Sequence, residues 1–225
     1  MVIAGPNGMG NANFKTGAIT SFATLFREHT PQLSFGQNAL LTQSGNLCAM
    51  LFSAGRARGL QFSHFINTGN EACVEFSEYL DYLADDADTA TVLGYIEGLR
   101  DGPAFARACL KMRHAGKPLI LLKGGRSEQG AQAAATHTAA MAGSHVMYQV
   151  AFRALGVIEA QHPTHALDIA YLCQFRSRRA GPRVAIASIS GAMGAMLTDM
   201  MSDLKIQLPP LTQETQARLK RAGPS

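Results

Sequence analysis

Short apolar runs alternate along this chain with stretches whose apolar residues recur at helical spacing. Ala39-Leu40-Leu41-Thr42 reads as a buried strand ending at Gln43-Ser44-Gly45, and Leu47, Met50, Leu51 and Ala54 follow as one face of a helix that Gly59 closes. The alternation continues with a strand at Phe62–Ile66, a helix at Phe76–Leu83, a strand at Thr91–Ile96 and a helix at Phe105–His114. Pro118–Leu122 is an all-apolar strand, followed by a helix at Val146–Leu155, a short strand at Val157-Ile158 and a helix at Ala166–Cys173. Strands without a polar side, separated by amphipathic helices, need cover on both faces. The pattern predicts a three-layer α/β domain over residues 36–175, with a mostly parallel five-stranded sheet.

Outside that domain the pattern weakens. Residues 1–35 are mixed and loop-like, with turn formers at Gly5-Pro6-Asn7-Gly8-Met9-Gly10. Residues 176–182 read as a linker. Arg183–Ser188 then reads as a further strand, ending at Ile189-Ser190-Gly191 before a Met-rich helix (Met193, Met196, Leu197, Met200). This strand, Ser-Gly and helix layout copies residues 39–54, so residues 183–225 are expected to begin a second, related unit. Gly223-Pro224-Ser225 makes an implausible domain end, and the chain reads as a piece cut at both ends. Such a piece is expected to bury its unfinished second unit against another copy or against missing parts.

Composition narrows the classes of function. Of 225 residues, 47% are hydrophobic and 16% charged, enough for a sizeable core and against disorder. The net charge is +4, but the basic residues are scattered apart from Arg176, Arg178, Arg179 and Arg183, a cluster open to two readings, solvated connector or anion site. Aromatics are few and no basic stripe interleaves with them, which argues against nucleic acid and in favour of small anions. Cys48, Cys73, Cys109 and Cys173 form no Cys-x-x-Cys pair and read as buried free thiols of a reducing compartment. No leader and no apolar run of spanning length is visible, so a soluble, cytoplasmic protein without a membrane partner is expected.

Three places carry candidate chemistry. Gln43-Ser44-Gly45-Asn46 lies between a strand and a helix, where free N–H groups and the helix dipole attract an anion; the plainer reading is an ordinary helix cap by Ser44. Ser190-Gly191-Ala192 repeats the arrangement. His137 lies among small residues after the C-terminal end of a buried strand, where α/β sheets place ligands. A neutral imidazole at about pH 7 can attack phosphorus and hold the group as a labile N–P bond, with two helix starts serving the phosphoryl oxygens and no metal ligands required. Six other histidines compete with it, and a lone histidine is commonly structural. Glu97, at the end of the strand Thr91–Ile96, is suited to accept a bond from one ring nitrogen and leave the other as nucleophile, or is a solvated loop residue.

The run Leu122-Lys123-Gly124-Gly125-Arg126-Ser127-Glu128-Gln129-Gly130, continuing through Thr136-His137-Thr138-Ala139-Ala140-Met141-Ala142-Gly143-Ser144, resembles the phosphohistidine segment of ADP-forming acetyl-CoA synthetases, relatives of succinyl-CoA synthetase. That family usually has Ser-His-Thr-Gly-Ala-Leu-Ala-Gly-Ser; this chain has Thr136 for the first Ser and Ala139 for the Gly. Gly5-Pro6-Asn7-Gly8-Met9-Gly10, Gln43-Ser44-Gly45, Asn67-Thr68-Gly69-Asn70, Tyr95-Ile96-Glu97-Gly98 and Leu208-Pro209-Pro210-Leu211-Thr212 resemble further family segments in the same order. The resemblance implies a flavodoxin-like (succinyl-CoA synthetase-like) domain at 36–175. It makes residues 1–35 the remnant of a CoA-binding domain and 183–225 part of a second flavodoxin-like domain.

As function it implies an acid-thiol ligase: acyl-CoA, phosphate and ADP give acid, CoA and ATP, reversibly, through phosphorylated His137 oriented by Glu97. Ser44, Gly45, Asn46, Ser190, Gly191 and Ala192 would receive phosphate. CoA, ADP or ATP and phosphate belong to the intact enzyme, with Mg held by an ATP-grasp domain or subunit; none binds tightly to this piece, which by itself should be inactive. A homo-oligomer is expected. A rival from another class is an inactive module that senses acyl-CoA or nucleotide, which would not need both His137 and Glu97.

Overall fold

Strands that carry apolar side chains on both faces must lie between two layers of helix, and here they do. The computed structural model describes residues 3–26, 35–127, 129–130, 145–175 and 183–222. The chain divides into two units, Met1–Phe175 and Arg176–Ser225. The first contains β1 (Gly10–Asn13), β2 (Ala18–Ser21), β3 (Phe35–Thr42), β4 (Phe62–Asn67), β5 (Thr91–Ile96), β6 (Leu119–Lys123) and β7 (Ile158–Ala160). Its helices are α1 (Gly45–Ala57), α2 (Phe76–Asp85), α3 (Gly102–His114), α4 (His145–Leu155) and α5 (Pro163–Cys173).

All seven strands form one sheet in the order β2-β1-β4-β3-β5-β6-β7. The last five are parallel, as the apolar runs predict, and give the flavodoxin-like order in which the second strand precedes the first. Side chains alternate between the two cores. Leu40, Leu93, Ile120 and Leu122 enter the one covered by α1 and α5, whereas Ala39, Leu41, Val92, Leu119 and Leu121 enter the one covered by α2, α3 and α4.

The N-terminal segment departs from the loop-like expectation. β1 pairs antiparallel with β2 on one side and with β4 on the other, extending the five-stranded sheet to seven strands. Gly10-Asn11-Ala12-Asn13 has weak strand propensity, and tertiary pairing with β4 overrides it. With neighbours on both edges, β4 is buried along its whole length, polar residues included. Those residues are paired: Ser63 Oγ lies 2.8 Å from Thr89 Oγ1, and His64 Nε2 lies 3.0 Å from Asn13 Nδ2.

The cysteines correct another expectation. Cys48 and Cys109 are buried, and burial pushes each thiol up to about 12, but Cys73 is exposed and Cys173 half-buried. None of the four is in a disulfide. Among the described residues, no helix is long and apolar enough to cross a membrane.

The second unit contains α6 (Gly191–Asp203) and α7 (Gln213–Ala222), neither with a buried residue. The strand expected at Arg183–Ser188 is not formed. Among the described residues of this unit there is only an isolated parallel bridge, Arg183 to Gln207, because no strand stands beside the segment to complete a ladder. The Met193, Met196 and Met200 side chains are exposed along α6.

Phe52 anchors the first core. It is 1% exposed, and its ring centroid lies 5.1–5.8 Å from those of Phe14, Phe26, Phe62 and Phe65. Phe52→Ala should therefore cost about 3–5 kcal/mol, the usual penalty for emptying a large aromatic site. Urea denaturation should show a lower midpoint with an unchanged far-UV spectrum before the transition.

Candidate functional site

In this strand order the chain leaves β3 and β5 in opposite directions, so a crevice opens beyond their C-terminal ends. Ser44 follows β3 and Glu97 follows β5, which places both at that crevice. Ser44 is the N-cap of α1: its backbone is extended, with φ −92° and ψ 123°, and its hydroxyl accepts from Leu47 N at 3.4 Å. Thr42 Oγ1 steadies the turn by donating to Ser44 O at 2.9 Å. Capping is thus an observed role of Ser44. Gly45 allows close approach from one side: a Cβ there would stand 2.9 Å from Met9 Cγ and 3.2 Å from Asn67 Oδ1. Asn46 is exposed in the first turn.

Glu97 is half-buried. Its Oε1 accepts from the Tyr95 hydroxyl at 3.4 Å, and its Oε2 is buried with no hydrogen-bond partner among the described residues. Burial and the neighbouring Glu97 carboxylate together push the Tyr95 hydroxyl up to about 12, so it remains a proton donor at neutral pH.

Gln43 links the two strand ends. Its Oε1 accepts from Glu97 N at 2.6 Å and Gly98 N at 3.3 Å, and its Nε2 donates to Gly98 O at 2.8 Å. The same Nε2 donates to Glu71 Oε1 at 3.0 Å. Glu71 is buried after β4, in the left-handed region at φ 57°, and also accepts from Thr68 Oγ1 at 2.7 Å. Arg100 donates to the carbonyls of Glu71 and Asn70, which holds this turn against β5's end. On the far side, the buried Lys123 that ends β6 donates to Glu97 O at 2.8 Å and to Gly124 O.

The site therefore also contains Gln43, which the sequence marks only as the start of the Ser44 segment, and Glu71, Arg100 and Lys123, which sequence reasoning missed. One signal was present for Lys123: it is a lysine closing an otherwise apolar strand. Nothing local marks Glu71. Of the expected residues, the structure brings Ser44 and Glu97 together. Ser190 caps α6, accepting from Met193 N at 3.3 Å, and Gly191 and Ala192 open that helix, in the second unit. His137 lies outside the described residues, as do Arg176, Arg178 and Arg179. Among the described residues, no group of three His, Cys, Asp or Glu side chains could hold a metal. The arrangement offers a helix start for an anion and a carboxylate oxygen able to accept from an N–H.

Burial raises the Glu71 carboxyl above its ordinary value of 4.5; bonds from Thr68 and Gln43 oppose the shift, Glu75 adds to it, and Arg100 opposes it. Between the ordinary value and the raised folded one, unfolding releases a proton, so stability is lost as pH rises through that window. Glu71→Gln keeps an acceptor and cannot ionise. Its thermal midpoint should fall less than the wild type's as pH rises from the ordinary value of 4.5 through the raised one. Parallel curves for the two proteins would refute the assignment.

The chain is 34% identical over 223 residues to acetate–CoA ligase [ADP-forming] I of Archaeoglobus fulgidus, covering 99% of this chain and 31% of the relative. It is 33% identical over 220 residues to acetate–CoA ligase [ADP-forming] II subunit alpha of Pyrococcus furiosus, covering 98% of this chain and 46% of the relative. Among solved structures, it superposes on dinucleotide forming acetyl-coenzyme A synthetase 1 of Ca. Korarchaeum cryptofilum, in complex with phosphate and ADP. That match has a TM-score of 0.86 and 27% identity, covering 100% of this chain and 47% of that one. The chain thus spans about a third to a half of the length of these relatives. Residues 35–173 match the model of the succinyl-CoA ligase like flavodoxin domain, and to that family the chain belongs.

Proposed function

We propose that this chain is the phosphoryl-handling part of an ADP-forming acyl-CoA synthetase. Phosphate attacks the thioester of an acyl-CoA, and the C–S bond breaks to give an acyl phosphate and free CoA. The imidazole of His137 attacks phosphorus; the N–P bond forms as the bond to the carboxylate oxygen breaks, releasing the acid. ADP then takes the phosphoryl group, giving ATP and the neutral imidazole. Glu97 accepts from the ring nitrogen that does not attack, and so holds the imidazole with its other nitrogen free. Ser44-Gly45-Asn46 and Ser190-Gly191-Ala192 supply helix N-termini for the phosphoryl oxygens, each worth about 0.3–1 kcal/mol when exposed.

The observation that carries this reading is the Glu97 carboxylate, held beside the Ser44 helix start with one buried oxygen unpartnered among the described residues. The names of the relatives support the reaction, and the wording "subunit alpha" supports a partner subunit. In this reading the phosphoryl-handling domain takes in residues 36–175 together with the β1–β2 hairpin that joins their sheet, and a CoA-binding part lies elsewhere in the synthetase. Residues 176–182 link the phosphoryl-handling domain to a second domain that includes 183–225. ADP and Mg are held by an ATP-grasp part on the same or another chain, and four cysteines without a disulfide support a reducing compartment such as the cytoplasm.

The test is labelling of the synthetase, with its CoA-binding and ATP-grasp parts, by ATP carrying a labelled terminal phosphate. His137→Ala should abolish the acid-labile, base-stable label. Glu97→Gln should retain it at a rate reduced roughly ten- to hundredfold, the scale for losing a carboxylate that orients an imidazole. A His137→Ala enzyme that still labels and still makes ATP would overturn the assignment.

A further inference from the structure

Beyond Ile96 the ladder of the sheet stops, and both backbone groups of Glu97 are held by side chains instead. Its N–H donates to Gln43 Oε1 at 2.6 Å and its C=O accepts from Lys123 Nζ at 2.8 Å. Gln43 grips the next residue as well, at both Gly98 N and Gly98 O. Lys123 is 5% exposed, and its ammonium lies 4.6 Å from the centroid of the Tyr148 ring. A neutral donor would suffice to hold a carbonyl, whereas a buried ammonium carries a desolvation cost. That cost is offset by the ring of Tyr148, the carbonyls of Glu97 and Gly124, and the Glu97 and Glu159 carboxylates that favour its charged form.

We propose that Gln43 and Lys123 are positioning residues for Glu97, the amide fixing its N–H side and the ammonium its C=O side. With both peptide groups held, the carboxylate leaves the strand end at one angle. A reactive group misplaced by about an ångström commonly loses a hundredfold in rate. This inference rests on the reading that Glu97 serves the phosphorylation of His137, and it adds how Glu97 is held.

The experiment measures the rate of phosphoenzyme formation and the KM for acyl-CoA in the assembled synthetase. Lys123→Met and Gln43→Leu should each slow phosphoenzyme formation on the order of ten- to hundredfold, leaving KM for acyl-CoA within about twofold. Lys123→Arg, which keeps a cation over Tyr148, should recover part of the rate. In the Glu97→Gln background Lys123→Met should slow the reaction no further, since both changes disable one group. A wild-type rate in Lys123→Met, or full additivity with Glu97→Gln, would overturn the proposal. If Lys123→Met fails to fold, Tyr148→Leu replaces it. Removing the ring beneath the ammonium should slow phosphoenzyme formation severalfold, and an unchanged rate there counts equally against the proposal. The two readings fail separately: a label that survives His137→Ala refutes the function, whereas a normal rate in Lys123→Met with no label in His137→Ala refutes only the positioning.

Discussion

A parallel sheet buried on both faces leaves few places for polar side chains besides the strand ends, the paired Ser63 and His64 of β4 being exceptions, and this constraint organises the first unit. Leu40 and Leu41 point into different cores, so neither face of β3 can carry a charged side chain toward water. Chemistry is pushed to the C-terminal edge. There β3 and β5 are neighbours in the sheet but their connections depart to opposite layers, and the crevice they leave receives Ser44 and Glu97.

That edge is expensive to build, because it gathers polar groups away from water. Gln43, Glu71, Lys123 and Glu97 come from four different strand ends and satisfy one another almost completely. In a poorly solvated setting each such bond is strong and each missing one is costly. A network of this kind resists small displacement, and a carboxylate set within it has a defined direction. The electrostatics agree: burial raises the Glu71 carboxyl and lowers the Lys123 ammonium, while their partners oppose both shifts.

The parallel strands were legible because an all-apolar run such as Leu119–Leu122 has few other stable homes. Ser44 and Glu97 were legible as residues that follow such runs. Gln43 and Lys123 were not legible as holders of Glu97, since Gln43 lies 54 residues from Glu97 and Lys123 lies 26. Contacts at that separation are decided by strand order, which local periodicity does not encode. The same limit explains the two misread segments. Gly10–Asn13 has no strand pattern and becomes a strand because β4 offers it an edge. Arg183–Ser188 has the pattern and, lacking a neighbouring strand among the described residues of its unit, forms only one bridge.

The antiparallel hairpin of β1 and β2 also sets where this domain can be cut. The family match begins at residue 35, yet Gly10–Asn13 pairs with Asn67–His64 along the outer edge of β4. A module trimmed to residue 35 would expose the backbone groups of Ser63-His64-Phe65-Ile66-Asn67, an edge that includes Phe65 and Ile66. Such an edge is a template for pairing between molecules. The hairpin covers that edge of β4, and the practical N-terminal boundary of the module lies before Gly10.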